Sequence, residues 1–258
     1  MTITIQNSLE LPLAQLMPAP LQFETPPSSI QHANSIPQFV KWNLKRVILA
    51  DVHYEHQLYG PDNTYLHSIF PIHRNFSVIP QALLRRAIRT GRLSGLNVST
   101  GSTGATHVGR DAGGIMKIKI YPDFLVVKVV PTSEDRPRTQ QVVCVVEIKL
   151  GDISAVGDVD TSQAEAQMLE YMTTLINHPF RDPNLKGYLI VADKYLEFRI
   201  ENNVVVYDPD GWIGIFSSGD PLTVALSNIA VAEWNRTTMQ VAPVAFAMMA
   251  AELVAGGL

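Results

Sequence analysis

Two apolar runs decide the fold of this chain: Pro122-Asp-Phe-Leu-Val-Val-Lys-Val-Val130 and Gln141-Val-Val-Cys-Val-Val-Glu-Ile-Lys-Leu150. Both are rich in β-branched residues, which is typical of buried strands. The polar, proline-containing residues around Thr132–Thr139 predict a loop that joins the two strands as a hairpin. An alternating stretch, Ile115–Tyr121, predicts a further strand just before them. The chain is therefore predicted to contain a central sheet.

Charged residues interrupt the apolar pattern at one end of these strands. Glu147 and Lys149 are two residues apart, so their side chains project from the same face of the strand. If the strands pair, Asp123 comes close to Glu147. Two neighbouring carboxylates repel each other, and a divalent cation removes that penalty. Oxygen ligands suit Mg²⁺ or Mn²⁺, and Lys149 can orient a water molecule or offset charge on a phosphoryl group.

A helix is predicted to begin after these strands. Ser162-Gln-Ala-Glu165 matches a capping box. The residues at helical spacing that follow form an apolar stripe of Ala164, Met168, Met172 and Leu175. A neighbouring line on the same helix consists of Gln163, Gln167 and Tyr171. A helix packed on the sheet would present this line beside the carboxylates.

The sequence Pro122-Asp123, then Glu147-Ile148-Lys149, then Gln167-Met-Leu-Glu-Tyr171 resembles the PD-(D/E)XK nuclease superfamily, and in particular its RecB-like branch with a Q-x-x-x-Y motif. The resemblance implies an α/β fold of the restriction endonuclease-like type, with a mixed central sheet flanked by helices. It also implies Asp123, Glu147 and the Ile148 carbonyl as metal ligands, Lys149 as the catalytic lysine, and Gln167 and Tyr171 beside the site.

One feature of that superfamily has no counterpart on a predicted helix. Many members supply an acidic residue from a helix that precedes the core strands, whereas the predicted upstream helix, Ile79–Thr90, contains none. The acidic residues upstream of the strands, none on a predicted helix, are Asp51, Glu55, Asp62 and Asp111. Asp111 is a candidate for the acid, and an incomplete ligand set would leave the fold without catalysis.

The predicted helix Ile79–Thr90 carries several arginines. They are Arg85, Arg86 and Arg89, with Arg92 just beyond. Such a row is either a solvated face or a surface that contacts phosphates, since the arginine fork matches phosphate geometry. With Gln163, the first three are the candidate nucleic-acid-binding residues.

Composition limits the class of protein. Of 258 residues, 46% are hydrophobic and 17% charged, and the net charge of −4 gives no strongly basic footprint, so nucleic-acid binding would need a local patch. The single cysteine, Cys144, cannot form an internal disulfide, which favours a reducing compartment. No targeting segment or span of about 20 apolar residues is evident. We therefore expect an intracellular protein, cytoplasmic or nuclear, with no membrane partner.

The chain is predicted to divide into a Pro-rich extended arm, 1–38, and one nuclease-like domain, 39–258. Phe39–Tyr54 is predicted to form a strand or a short helix, and Gly60-Pro-Asp-Asn63 a turn. The remaining predicted elements are the strands Tyr188–Ala192, Tyr195–Ile200 and Val204–Tyr207 and a helix from Pro221 to about Arg236.

Three functional classes follow from these patterns. The first is an Mg²⁺- or Mn²⁺-dependent nuclease that hydrolyses phosphodiester bonds, with DNA favoured over RNA. The second is a catalytically inactive module of the same fold that binds nucleic acid or serves protein assembly. The third is an interaction protein whose arm and apolar C-terminal residues form an oligomer interface. A homodimer is compatible with each.

Overall fold

A computed structural model describes residues 24–50, 56–82, 84–85, 107–110, 116–120, 122–130, 139–149, 161–176, 178 and 181–236. The helices are α1 (Ser29–Ser35), α2 (Gln38–Ile48), α3 (His56–Ile69), α4 (Ser162–Ile176) and α5 (Pro221–Ala232), with a 3₁₀ turn at Ile72–Arg74. The strands are β1 (Phe76–Pro80), β2 (Leu84–Arg85), β3 (His107–Arg110), β4 (Met116–Ile120), β5 (Phe124–Val130), β6 (Thr139–Lys149), β7 (Arg181–Val191), β8 (Lys194–Glu201), β9 (Val204–Val206) and β10 (Ile213–Gly214).

The main sheet is mixed. Its order is β1-β5-β6-β7-β8-β10, with β9 also paired to β8, which makes seven strands in the part of the chain that the structure describes. Strand β6 is central: it pairs antiparallel with β5 and parallel with β7. The parallel pair requires a crossover, and α4 supplies it. The predicted β5–β6 pairing and the mixed sheet flanked by helices are confirmed, whereas β4 pairs with β2 and β3 in a separate three-stranded sheet.

Both faces of the main sheet are covered. Alternate residues of β5 and β6, such as Phe124 and Cys144, face the α2, α3 and α5 layer. The residues between them, such as Leu125 and Val145, face α4. Since Glu147 has the same parity as Val145, its side chain projects toward α4. A sheet buried on both sides explains why β5 and β6 are continuous apolar runs.

The predicted helix Ile79–Thr90 is wrong where the structure describes it. Ile79 and Pro80 end β1, which pairs antiparallel with β5, and Leu84–Arg85 pairs with β4. The apolar spacing was compatible with either state. Packing against the central sheet favours a strand, because Phe76, Val78 and Ile79 are all buried where β1 pairs with β5.

The predicted turn Gly60-Pro-Asp-Asn63 is also wrong, because these residues lie inside α3. Proline removes one helical hydrogen bond, so the helix needs support from packing. Leu58, Tyr65, Leu66 and Ile69 provide it, since all four are buried in one core. Tertiary burial therefore overrides the local turn signal.

The described part of the predicted arm is not wholly extended. Helix α1 lies within it, capped by the Ser28 side chain, which accepts from the Gln31 amide at 3.2 Å. Its buried His32 ring meets the Trp234 ring edge-on at 5.2 Å between centroids. This segment consequently packs against the end of α5. Residues 1–23 of the predicted arm lie outside the described part of the chain.

Several other expectations are confirmed. Phe39–Tyr54 contributes a helix, α2. Helix α4 begins at Ser162 and buries the whole predicted apolar stripe. Strand β7 contains all of the predicted strand Tyr188–Ala192 except Ala192 but begins earlier, at Arg181, and β8 and β9 form the expected meander. In the described residues, no helix combines the length and the apolar character that crossing a bilayer requires.

Two glycine substitutions should have opposite effects on stability. A Cβ on Gly187, in β7 beneath α4, would lie 2.9 Å from Met172 Sδ and 3.0 Å from Met168 Sδ, whereas one on Gly60 would meet nothing within 4 Å. The added methyl group would crowd both methionines, whose flexible side chains can shift and so limit the penalty. We therefore expect Gly187→Ala to lower the free energy of unfolding by about 1–3 kcal/mol. Gly60→Ala should gain about 0.5–1 kcal/mol. Urea denaturation measures both, and equal effects would contradict this packing.

Candidate active site

Asp123 and Glu147 meet at the end of the main sheet, as the sequence predicted. Asp123 immediately precedes β5, and Glu147 lies near the end of the antiparallel partner β6. The Asp123 amide donates to Glu147 Oε2 at 3.0 Å. The two acidic residues are therefore held together by the backbone of one and the side chain of the other.

Glu147 is buried, and Lys149 is its cationic partner. Only 1% of Glu147 is exposed. Its Oε1 lies 2.8 Å from Lys149 Nζ, whose side chain still reaches solvent. Burial, and after it the negative charge of Asp123, raise the pKa of Glu147 to about 8 against the opposing effect of Lys149. An ionised Glu147 is thus costly here unless more positive charge is present.

Two further groups orient the Asp123 carboxylate. The Ile148 amide donates to its Oδ2 at 2.8 Å, and the Tyr59 hydroxyl donates to its Oδ1 at 2.6 Å. Tyr59 comes from α3, and its ring contacts Phe124 edge-on at 5.8 Å between centroids. Tyr59 was not among the predicted site residues, because the turn predicted at Gly60–Asn63 excluded the helix that carries it.

Helix α3 also brings an upstream acid to the site. Asp62 is 2% exposed, and its Oδ2 is buried without a hydrogen-bond partner. Burial raises the pKa of Asp62 well above its usual range, and the nearby charge of Asp123 raises it further. The prediction that none of the upstream acids lies on a helix is therefore wrong for Asp62. The other three, Asp51, Glu55 and Asp111, lie outside the described residues.

The predicted line on α4 reaches the site at its buried end. The Gln167 side-chain amide donates to the Tyr171 hydroxyl. Tyr171 is buried, and burial together with the charges of Glu147 and Asp123 raises its pKa. Gln163, two turns before Tyr171, is exposed. The structure thus brings Tyr171 and Gln167 beside the carboxylates.

The predicted arginine row is described only in part. Arg85 lies in the two-residue strand β2, and Arg86 and Arg89 lie outside the described residues. The helix that was to align the three is absent from the described part of this stretch. Their role as nucleic-acid-binding residues stays a prediction without that structural basis.

The oxygen donors at this site fit a hard divalent cation. Asp123 and Glu147 provide carboxylates, and the predicted third donor, the Ile148 carbonyl, belongs to the residue whose amide binds Asp123. No three acidic, histidine or cysteine side chains of the described residues converge on one point as a finished metal site. Mg²⁺, however, commonly uses only one or two carboxylates and takes its other ligands from water and substrate phosphates. The buried, partnerless Asp62 oxygen is a further donor of the right kind.

The buried Glu147 should make stability fall as pH rises. Its pKa is about 8 in the folded state against 4.5 as the ordinary value. Between these two pH values the folded state keeps a proton that the unfolded state has lost, so each pH unit lowers the free energy of unfolding by up to about 1.4 kcal/mol. Below pH 4.5 and above pH 8 this group contributes no slope.

Comparison with Glu147→Gln isolates this contribution, because the other buried acids titrate in both proteins. We expect the variant to gain stability relative to the wild type between pH 5 and pH 8, measured by urea denaturation with EDTA present. Parallel pH profiles for the two proteins would show that Glu147 is not destabilised in the folded state.

In comparisons with known proteins, no family model, no curated protein and no solved structure matches the chain.

Proposed function

We propose that this chain is a metal-dependent nuclease that hydrolyses phosphodiester bonds, with DNA the favoured substrate. The observation that carries the proposal is the convergence of Asp123, Glu147 and Lys149 at one end of the sheet. Glu147 contacts both of the others, at 3.0 Å to the Asp123 amide and 2.8 Å to Lys149 Nζ. The motif order that resembles the PD-(D/E)XK superfamily supports the same reading.

The electrostatics support a cation at this position. Glu147 and Asp62 both have raised pKa values, and in both cases burial is the first cause and Asp123 contributes. A cluster of buried acids that resist ionisation is costly to keep unless a function needs it. Asp123, Glu147 and the Ile148 carbonyl would hold Mg²⁺ or Mn²⁺, with Asp62 as an added ligand. When bound, the ion would polarise a phosphoryl oxygen and make a bound water more acidic.

The other residues of the site would bind the substrate or orient the carboxylates. Lys149 keeps contact with solvent while its ammonium group reaches Glu147, so it can donate to a phosphate oxygen or to the attacking water. Tyr59 and the Ile148 amide fix the rotamer of Asp123. Gln167 donates to the hydroxyl of the buried Tyr171 beside Glu147, so the partly exposed Gln167 would contact the substrate backbone while Tyr171 holds it in place.

The second candidate is a member of the same fold that lacks catalysis and serves nucleic-acid binding or assembly. One observation favours it: the carboxylates of Asp123 and Glu147 already have partners inside the protein. Asp123 accepts from Tyr59 and Ile148, and Glu147 accepts from the Asp123 amide and pairs with Lys149. Carboxylates that already have internal partners can serve only to stabilise the fold, although a cation would compete with those partners for the same oxygens.

Cleavage assays separate the two candidates. Supercoiled plasmid, linear duplex DNA, single-stranded DNA and single-stranded RNA are incubated with the protein and Mg²⁺, Mn²⁺ or EDTA. The proposal expects cleavage that needs the divalent ion and stops with EDTA. Absence of cleavage of every substrate by the folded protein, with either ion, favours the inactive module.

A further inference from the structure

Helix α2 presents large aromatic side chains to solvent. Its inner face buries Val40, Leu44, Val47 and Ile48. On its outer face Phe39 is 70% exposed and Trp42 is 54% exposed, with their ring centroids 6.4 Å apart. The Arg46 guanidinium lies 5.9 Å from the centre of the Trp42 ring. Contiguous exposed apolar surface is characteristic of interaction sites, whereas apolar side chains exposed singly are not.

Trp42 also borders a concave site. A cleft of about 420 Å³ lies between α2 and the residues that lead into α5, and its lining includes Trp42, Lys45, Phe216, Ser217 and Asp220. We call this the α2 cleft. Lys45 Nζ lies 5.4 Å from the centre of the Phe216 ring, so a cation and two aromatic rings share the cleft. Its volume is within the range of small-molecule and nucleotide sites.

The charge of α2 has one sign. The helix contains Lys41, Lys45 and Arg46 and no acidic residue, in a chain whose net charge is −4. Asp220 is the one acid among the described residues that line the cleft, and it pairs with Lys41 at 2.7 Å. Lys45 and Arg46 are exposed. This is the local basic patch that an acidic protein would need in order to contact phosphates.

The α2 cleft lies at the same end of the sheet as the candidate active site. The Ala192 amide donates to the Lys149 carbonyl at 3.4 Å, and the Ile215 amide donates to the Asp193 carbonyl at 2.8 Å. Ile215 and its neighbour Phe216 line the cleft. The β7–β8 turn therefore connects Lys149 to the wall of the cleft through two main-chain hydrogen bonds.

We propose that the α2 cleft binds an unpaired stretch of nucleic acid, with a base stacked on Trp42 and backbone phosphates near Lys45 and Arg46. This inference rests on the proposed nuclease function and assigns its substrate class. Exposed aromatic faces can stack only with bases that are not already stacked in a duplex, and basic side chains that accompany them follow the backbone. A second copy of this chain is the competing occupant, because tryptophan, phenylalanine and arginine are enriched in protein–protein interfaces although lysine is depleted.

Binding assays with EDTA test this inference separately from cleavage. Fluorescence anisotropy is measured for a labelled single-stranded oligonucleotide and for its duplex. We expect tighter binding of the single strand by the wild type. Trp42→Ala should raise the single-strand Kd by about five- to a hundredfold, because a stacked base is lost. Lys45→Glu should weaken binding and reduce its salt dependence.

Matched controls lie elsewhere on the surface. Ile72→Ala removes another exposed apolar side chain, and Arg199→Glu makes a comparable charge change toward the other end of β8. Both should leave the single-strand Kd within about twofold of the wild type, since neither residue lines the α2 cleft. Far-ultraviolet circular dichroism checks that all four variants are folded.

The outcomes distinguish this inference from the proposed function. Three results would overturn the proposal that the α2 cleft binds unpaired nucleic acid, even if the protein cleaves DNA. They are no binding of the single strand, a preference for duplex, and unchanged binding by Trp42→Ala and Lys45→Glu. If the single strand binds as expected but no metal condition gives cleavage, the proposed nuclease function is overturned and the α2 cleft is still a binding site. A dimer in solution that Trp42→Ala dissociates would overturn the inference and assign the cleft to a second copy of the chain.

Discussion

Glu147→Gln is expected to lower metal-dependent cleavage by a factor on the order of 10²–10³, the scale of removing one preorganised electrostatic group from an active site. The variant keeps the volume and the contact with the Asp123 amide, but it removes the negative charge that Glu147 would present to a bound metal ion and to Lys149. Lys149→Met should lose cleavage too, with less effect on the affinity for Mn²⁺. Initial rates on plasmid DNA measure the activity, and isothermal titration measures the metal.

A control makes the same chemical change at an exposed position. Glu201 is a solvent-exposed carboxylate at the end of β8 that pairs with Arg199. Glu201→Gln should cleave like the wild type. Retention of full activity by Glu147→Gln would remove Glu147 from the site, whereas loss of activity in both variants would indicate a general effect of lowering negative charge.

Arg236→Met is expected to destabilise the fold by about 3–5 kcal/mol, because it leaves buried carboxylates without their cation. Arg236 bridges Asp182 and Glu233 through its two terminal nitrogens, and it also donates to Gln141 Oε1 at 3.1 Å. All three side chains of the ionic cluster are buried. Urea denaturation at pH 8 measures the cost, since burial raises the pKa of Glu233 to about 7 and the residue is ionised above that value.

Arg199→Met is the matched control for that variant. Arg199 also pairs with a carboxylate, Glu201, but both side chains are more than half exposed. Solvent screens such a pair, so its loss should cost no more than about 1 kcal/mol. Equal destabilisation by the two substitutions would mean that the cluster around Arg236 is not closed to water.

The central part of the fold could be predicted because its local and long-range signals agree. Strands β5 and β6 are continuous apolar runs buried on both faces, and α4 has an apolar stripe that is buried throughout. Their order places Asp123, Glu147 and Tyr171 together, so these members of the site followed from the sequence.

The parts that were missed depend on packing between distant segments. Pro61 gives a strong turn signal, yet the burial of Tyr65 and Ile69 keeps α3 helical across it. Tyr59 and Asp62 lie on either side of that proline. Because a turn was predicted there instead of a helix, neither residue was assigned to the site. For Ile79 the spacing alone allowed a helix, and only pairing with β5 fixes it as a strand.

The crossover between β6 and β7 has a consequence for how the site assembles during folding. Strands β5 and β6 are neighbours in sequence, so the pairing that joins Asp123 to Glu147 closes a short loop and is entropically cheap. The parallel pairing of β6 with β7 has to wait for α4 to be made and docked. The acidic pair would therefore form before Gln167 and Tyr171 arrive, and nascent chains would pass through a state in which Glu147 is still open to water and ionised at no cost.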